Sequence, residues 1–482
     1  MATKINKPLD NNKLNQIDNQ IITFGCRLNN SESEAIKKNL YDSTIKNHII
    51  FNSCAVTENA EKDLVKSIKK ARRLNPDATI VVTGCAAQIN PQKYAVMNEV
   101  DLVIGNKEKT DPNFYQSIIK NKDLAINYTS KNTDKLDKIT INKTNQHQDT
   151  IFLNNIRENN SKIAINNQQR AKIKVNDIMS VRDTAPQLVS YFESKTRAFL
   201  EIQNGCNHRC TFCIIPFGRG NSRSVPFGEI ISQARKMIDA GHKEIVLTGV
   251  DITDYGSDIV ASPKFSNILK RMLKLLPDLP RLRLSSVDVA ELDDDFFELL
   301  ANEPRLMPYL HLSLQSGDDL ILKRMARRHN RQNIIDFCQN AKIARPEITF
   351  GADIIAGFPT ENDEAFNNSC NLISELSLIF CHIFPYSARS GTAAAKMPQI
   401  DSKIIRERAR ILRDIGQLEL QKFLKSNINN KFTILIEDGN IGKTDNFLNA
   451  KIINNTNNIK AGDLVEVLAI ASDDKGLIVE VI

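Results

Sequence analysis

The chain has no tryptophan, and aromatic residues make up only 6% of its 482 positions. Stacking of bases on exposed rings is therefore not expected to dominate any nucleic-acid binding. No run of about 18 apolar residues occurs, so the sequence indicates no membrane-spanning helix. The first residues, MATKINKPLDNNKLNQ, lack the apolar stretch of a secretory leader. A cytosolic location is the expectation. In a reducing compartment, clustered cysteines are metal ligands or reactive thiols more often than disulfides, and nine are present. Charge of one sign is also scarce. The 64 Lys and Arg against 57 Asp and Glu leave a net +7, which suits a nucleic-acid partner without demanding one. Hydrophobic content of 41% supports real cores beside one poorly folded stretch. The length implies two or three domains.

Residues 18–110 repeat one pattern. An apolar run ends at a cysteine and a polar, helix-like segment follows: QIITFGC to Cys26, HIIFNSC to Cys54, ATIVVTGC to Cys85, then a last strand, DLVIGN. Ser31 and Thr57 are the expected N-caps of the first two helices. Alternation of this kind predicts a parallel sheet covered by helices, with ligands beyond the carboxyl ends of the strands. Cys26, Cys54 and Cys85 all fall at such ends, so they are expected to converge although about thirty residues separate each from the next. Residues 111–190, rich in Asn, Lys, Gln and Asp, read as a partly disordered linker in which TIFL and KIAI are possible strands. Strand–helix rhythm returns over 191–428. RAFLEIQ, EIVLTGV, RLRLSSV, LHLSLQ, TFGADIIAGF and LIFCHIFPY predict six strands of a (β/α) barrel or partial barrel, and Gly241 stops the helix FGEIISQARKMIDA. A long charged helix ends that region. Residues 429–482 then switch to short alternating strands, a compact all-β barrel.

The chemistry concentrates at GCNHRCTFCIIPFGRG. Cys206, Cys210 and Cys213 follow a predicted strand at a Cx3Cx2C spacing. Three thiolates on one short loop suit an iron–sulfur cluster, and three ligands for four irons leave one iron open to a small molecule. A zinc site would want four closed ligands, with His208 as the fourth.

The segment resembles the signature of radical SAM enzymes, including an aromatic, Phe212, before the last cysteine. With FGCRLN, NSCAVTENAE, VVTGCAAQ, EIVLTGVDITDYG, RLRLSSVD, HLSLQSGDD, GADIIAGFPTE and FPYSARSGTAA, the chain over nearly its whole length resembles the methylthiotransferase family. The resemblance implies an N-terminal parallel-sheet α/β domain, a radical SAM (β/α) partial barrel and a C-terminal TRAM-like β-barrel. It implies two [4Fe-4S] clusters, a radical-generating one on Cys206, Cys210 and Cys213 and a sulfur-carrying auxiliary one on Cys26, Cys54 and Cys85. It further implies S-adenosyl-L-methionine as radical source and methyl donor, a tRNA substrate, a reductase or flavodoxin-type electron donor and a sulfur donor. RGNSRSVP, LTGVDITDYG and FPYSARSGTAAAKMP resemble the branch acting on threonylcarbamoyladenosine in tRNA. Branches acting on isopentenyladenosine in tRNA or on a ribosomal-protein aspartate are the alternatives, and a metal-stabilised RNA-binding protein without catalysis is the alternative of another class.

Strand-end positions Thr248, Gly249, Asp251, Ser285, Ser286, Gln315 and Asp353 are candidate contacts to S-adenosylmethionine or the base, or else polar groups that satisfy backbone donors. Arg219 and Arg223, adjoining the cysteine loop, are candidate phosphate contacts. Lys69, Lys70, Arg72, Arg73, Lys323, Arg324, Arg327 and Arg328 read as solvated helix faces. Cys338, Cys370 and Cys381 read as core residues.

Overall fold

The protein is described from a computed structural model, which covers residues 19–42, 46–115, 166–182, 196–454 and 458–482. It divides into two units. The first contains the chain through Gln187 together with Phe212–Asn221 and Ser387–Ala395; the second contains Leu188–Thr211, Ser222–Tyr386 and Lys396–Ile482.

In the first unit, β1 (Gln20–Thr23), β2 (His48–Ser53), β3 (Thr79–Gly84), β4 (Leu102–Ile104) and β5 (Ile173–Lys174) form one parallel sheet in that order. Successive side chains of a strand face opposite ways. Ile49 and Phe51 of β2, with Ile80 and Val82 of β3, pack under Leu64, Ile68 and Ala71 of helix α2 (Glu58–Leu74). Ile50 and Val81 face the other way, toward Ile36 and Leu40 of helix α1 (Arg27–Asp42) and Tyr115. Each such aliphatic side chain contributes about 1.5–3 kcal/mol when fully buried.

Thr57 caps α2, its hydroxyl accepting from Ala60 N at 3.2 Å. Ser31 caps nothing. Helix α1 begins directly after Cys26, and Ser31 is buried inside it. The expected linker also contributes order: helix Asn167–Ala171 and strand β5, which pairs with β4. The TIFL and KIAI segments lie outside the described residues.

In the second unit, β6 (Arg197–Glu201), β9 (Glu244–Thr248) and β10 (Arg281–Leu284) form a parallel sheet, and a small antiparallel pair joins β7 (Gln203–Asn204) to β8 (Arg223–Ser224). The segment continues into β11 (Ser286–Val287), which opens a second parallel sheet with β12 (Tyr309–Gln315), β13 (Thr349–Ala356) and β14 (Phe380–Pro385). Helices follow the strands, giving the partial barrel that the sequence predicts. Gly241, at φ +90°, follows the helix Phe227–Asp239. The long helix is Ser402–Ser426, and its Gly416 lies against Cys381.

Five strands then close a barrel in the order β15 (Lys431–Asp438), β16 (Ile441–Thr444), β17 (Asn449–Ile452), β19 (Leu477–Val481), β18 (Leu464–Ser472). Its Phe447 stacks on Tyr309 at 4.8 Å, and Arg281 donates to Thr433 O at 2.7 Å. No described helix is long and apolar enough to cross a membrane.

Candidate functional site

The first unit gathers three free cysteines at strand ends. Cys26 precedes α1, Cys54 follows β2, and Cys85 follows β3 and opens the short helix Cys85–Ile89. Their approach depends on two glycines. Gly25, at φ +95°, lies so close that a Cβ there would come 2.7 Å from Cys54 Sγ, and a Cβ on Gly218 would come 3.1 Å from Cys85 Cβ. Cys54 and Cys85 are buried, whereas Cys26 is exposed. Burial, then the neighbouring Cys85 and Cys26, pushes the Cys54 thiol up to about 12. A metal group that takes these thiols must displace the proton that Cys54 holds.

The setting suits that negative charge. Arg219 Nε donates to Cys85 Sγ at 3.2 Å and Asn106 Nδ2 donates at 3.8 Å. The Arg219 fork also grips Glu32, whose second cationic partner is Lys109 Nζ at 2.5 Å. All three charged side chains are at most 2% exposed. Two cations against one carboxylate leave this buried pocket one charge positive. Arg389 donates to Ala55 O and Val56 O and pairs with Glu61, fixing the loop that follows Cys54.

The sequence reading of Arg219 as a phosphate contact does not survive. Its guanidinium is 2% exposed and committed to Glu32, Asn29 and Cys85. Arg223 is likewise buried, in β8. The solvated-face reading also fails for Arg72, which donates to Ala78 O and Glu99 O and pairs with Asp101. It fails for Arg327 too, whereas Lys69, Lys70 and Arg73 are exposed as expected.

In the second unit, the cysteine loop leaves β7 and is organised by Gln203, a buried residue that sequence reasoning missed. Its Nε2 donates to Gly205 O at 2.7 Å and to Ser222 Oγ at 2.9 Å, while its Oε1 accepts from Val250 N and Asp251 N. Cys206 Sγ accepts from His208 N at 3.4 Å, and Cys210 Sγ accepts from Arg327 at 3.6 Å. Arg327 also binds Asp288 at 2.8 Å. His208 Nε2 lies 2.9 Å from Asp251 and 3.2 Å from Glu291. Hydrogen bonds to Asp251 and Glu291 push this imidazole up to about 10. Cys213, in the segment of the first unit, is half-buried and forms no disulfide, and Ile214 and Phe217 just after it enter that unit's core.

Thr248 ends β9 fully buried, and a Cβ on Gly249 would meet Gln203 O at 2.7 Å. Ser285 is buried, its backbone N–H donating to Leu247 O. Gln315 ends β12 at φ +72°, a left-handed conformation that costs a non-glycine residue about 1–3 kcal/mol and is common at functional sites. Asp353 sits in mid-strand. Burial would raise its carboxyl, yet hydrogen bonds from His311 and His382 hold it well below the usual range. Glu32, Lys109, Asn106, Glu291 and Asp288 were also missed. Their partners lie far away in sequence and no local motif marks them.

Two family models match the chain: the radical SAM superfamily over residues 200–373 and the uncharacterized protein family UPF0004 over residues 19–105. A threonylcarbamoyladenosine tRNA methylthiotransferase MtaB of Rickettsia prowazekii is 49% identical, covering 91% of this chain and 92% of that one. The protein of the same description from Aquifex aeolicus is 31% identical over 89% and 95%. A tRNA-2-methylthio-N(6)-dimethylallyladenosine synthase of Ehrlichia chaffeensis is 28% identical over 88% and 89%. Among solved structures, the radical S-adenosylmethionine methyltransferase TsrM of Kitasatospora setae shares the fold at 14% identity and a TM-score of 0.50, covering 78% of this chain and 73% of that one.

Proposed function

Because the chain belongs to the radical SAM methylthiotransferase family, on the branch described as acting on threonylcarbamoyladenosine in tRNA, we propose that it adds a methylthio group at C2 of N6-threonylcarbamoyladenosine 37, beside the anticodon. The observation that carries this reading is the 49% identity to a protein of that description over 91% of the chain. The 28% identity to a dimethylallyladenosine synthase makes that substrate the weaker choice.

Cys206, Cys210 and Cys213 would hold one [4Fe-4S] cluster, and Cys26, Cys54 and Cys85 a second. When bound, the first supplies the electron that cleaves S-adenosylmethionine and the second carries the sulfur that is inserted. None of the six cysteines forms a disulfide, and each set has N–H donors aimed at sulfur, as thiolate ligation requires. Gln203 holds the Cys206 loop to the end of β9. Arg219 offsets charge beside Cys85, and Arg327 does so beside Cys210. A second S-adenosylmethionine gives the methyl group. A reductase or flavodoxin-type electron donor, a sulfur donor and a cytosolic location complete the proposal.

Anaerobic reconstitution with iron and sulfide is expected to load about eight irons in two clusters. Cys206→Ala should abolish deoxyadenosine formation. Cys54→Ala should keep that step and lose sulfur insertion; methylthiolation surviving Cys54→Ala would remove the second cluster from the proposal. Nucleoside mass spectrometry of tRNA from a deletion strain tests the substrate. The methylthio derivative of threonylcarbamoyladenosine should vanish, and its persistence rejects the assignment.

A further inference from the structure

Three side chains on neighbouring strands of the second unit form a cluster that the reaction scheme above leaves unused. His311 Nε2 lies 2.9 Å from Asp353 Oδ1, and His382 Nδ1 lies 3.1 Å from the same oxygen. The cluster faces the barrel's concave side. Cys381 turns outward to Gly416 of the long helix, so its neighbour His382 turns inward. In β13, Ala352 and Ile354 are buried on the opposite face from Asp353.

The cluster is rigid at one end and open at the other. His311 is buried, and its Nδ1 meets Tyr309 OH at 2.8 Å. Tyr309 is itself stacked on Phe447. His382 leans on the His311 ring at 4.5 Å, so its plane is set. Its side chain is 58% exposed, and Nε2 has no protein partner among the described residues. Both imidazoles meet one carboxylate oxygen at hydrogen-bond distance, whereas metal-bound nitrogens would surround a centre at about 2.0–2.1 Å. The arrangement is therefore that of a charge-oriented donor. β14 is the last strand of its sheet, so His382 stands at an open edge. Asp353 lies three residues before the end of β13, about 10 Å below the rim. Two basic side chains of the other sheet's strands are committed: Arg283 to Glu244 and Arg197 to Glu437.

We propose that His382, oriented by Asp353 and His311, recognises the carboxylate of the amino-acid substituent on N6 of the target adenosine. This rests on the substrate assignment above. Asp353 meets Nδ1, which leaves Nε2 to face the ligand. A charge-assisted hydrogen bond then selects a carboxylate-bearing substituent over an apolar one.

The test uses the reconstituted full-length enzyme and two anticodon stem-loop RNAs. One carries threonylcarbamoyladenosine, and the other carries its threonine amide. Wild-type kcat/KM should fall about tenfold or more on the amide. His382→Ala should lose a similar factor on the carboxylate RNA and little further on the amide, a non-additive cycle. His382→Gln, which keeps a donor, should recover part of the loss on the carboxylate RNA alone. Additive losses, or no recovery by His382→Gln, overturn the assignment of His382. If wild-type enzyme modifies neither RNA, the substrate assignment fails first and this inference falls with it.

Discussion

Arg219 shows how a single side chain can be misread from its neighbours in sequence. It follows the cysteine loop in a Gly- and Arg-bearing stretch that looks ready for phosphate, yet it is buried on Glu32, 187 positions away. Lys109, the other partner of Glu32, is 77 positions from it. Pairings at such separations leave no periodic or spacing signal. The cysteines were legible for the opposite reason: Cys206, Cys210 and Cys213 share a loop, and Cys26, Cys54 and Cys85 each end an apolar run. Removing one partner of a buried ion pair strands the other charge, at a cost of about 3–5 kcal/mol. Arg219→Met should therefore lower the stability of the apoprotein by that amount in denaturant unfolding. Arg219→Lys keeps charge but loses the fork and should recover only part. An unchanged midpoint for Arg219→Met would show that the pair contributes nothing net.

Among elements, apolar runs ending in a cysteine identified β1 to β3, the run DLVIGN identified β4, and Thr57 marked the start of α2 correctly. Ser31 misled because α1 starts a turn earlier, at the residue after Cys26, so a good capping residue became an interior one. Strand β5 was illegible: two residues are too short for an alternating pattern, and only the exposed edge of β4 calls for it. β16 was missed for a similar reason, being four residues, Ile441–Thr444, that carry a glycine. The turn from β3 into Cys85 depends on Gly84. It has φ +93°, and a Cβ there would lie 2.3 Å from Ser53 O. Gly84→Ala should cost at least about 3 kcal/mol, adding backbone strain to a clash. Gly439→Asn, at φ +55° with nothing within 4 Å, should be nearly neutral. Thermal midpoints of the two apoproteins check the contrast; equal shifts would contradict it.

For the whole molecule, stability should depend on pH in two windows below neutrality and a third above it. Burial lowers the imidazoles of His48 and His242, so the folded chain prefers them neutral. The unfolded chain then binds more protons below about pH 6.5, and stability declines as pH falls through that region. Burial alone would raise Glu244, but Arg283 holds it low, and the hydrogen bonds of His311 and His382 do the same for Asp353. Their contribution is complete above the unfolded values of roughly 4 and is lost below them. Hydrogen bonds push His208 up to about 10, so its contribution is complete below about pH 6.5 and is lost as pH rises toward 10. The apoprotein midpoint should therefore rise as pH falls from 8 to 7 and then fall in two stages at lower pH; a maximum near pH 5 would contradict this.

The α/β domain, partial barrel and terminal barrel were all legible as successive stretches of sequence, but the first unit is not one stretch. It takes β5, then Ile214, Phe217 and Arg219, and finally Arg389 from later in the chain. During synthesis on the ribosome, the nascent sheet therefore waits. Until residue 219 has left the exit tunnel, Glu32 has only Lys109, and the core that receives Ile214 and Phe217 stays open to water. A chaperone has its longest opportunity to engage this protein over that interval.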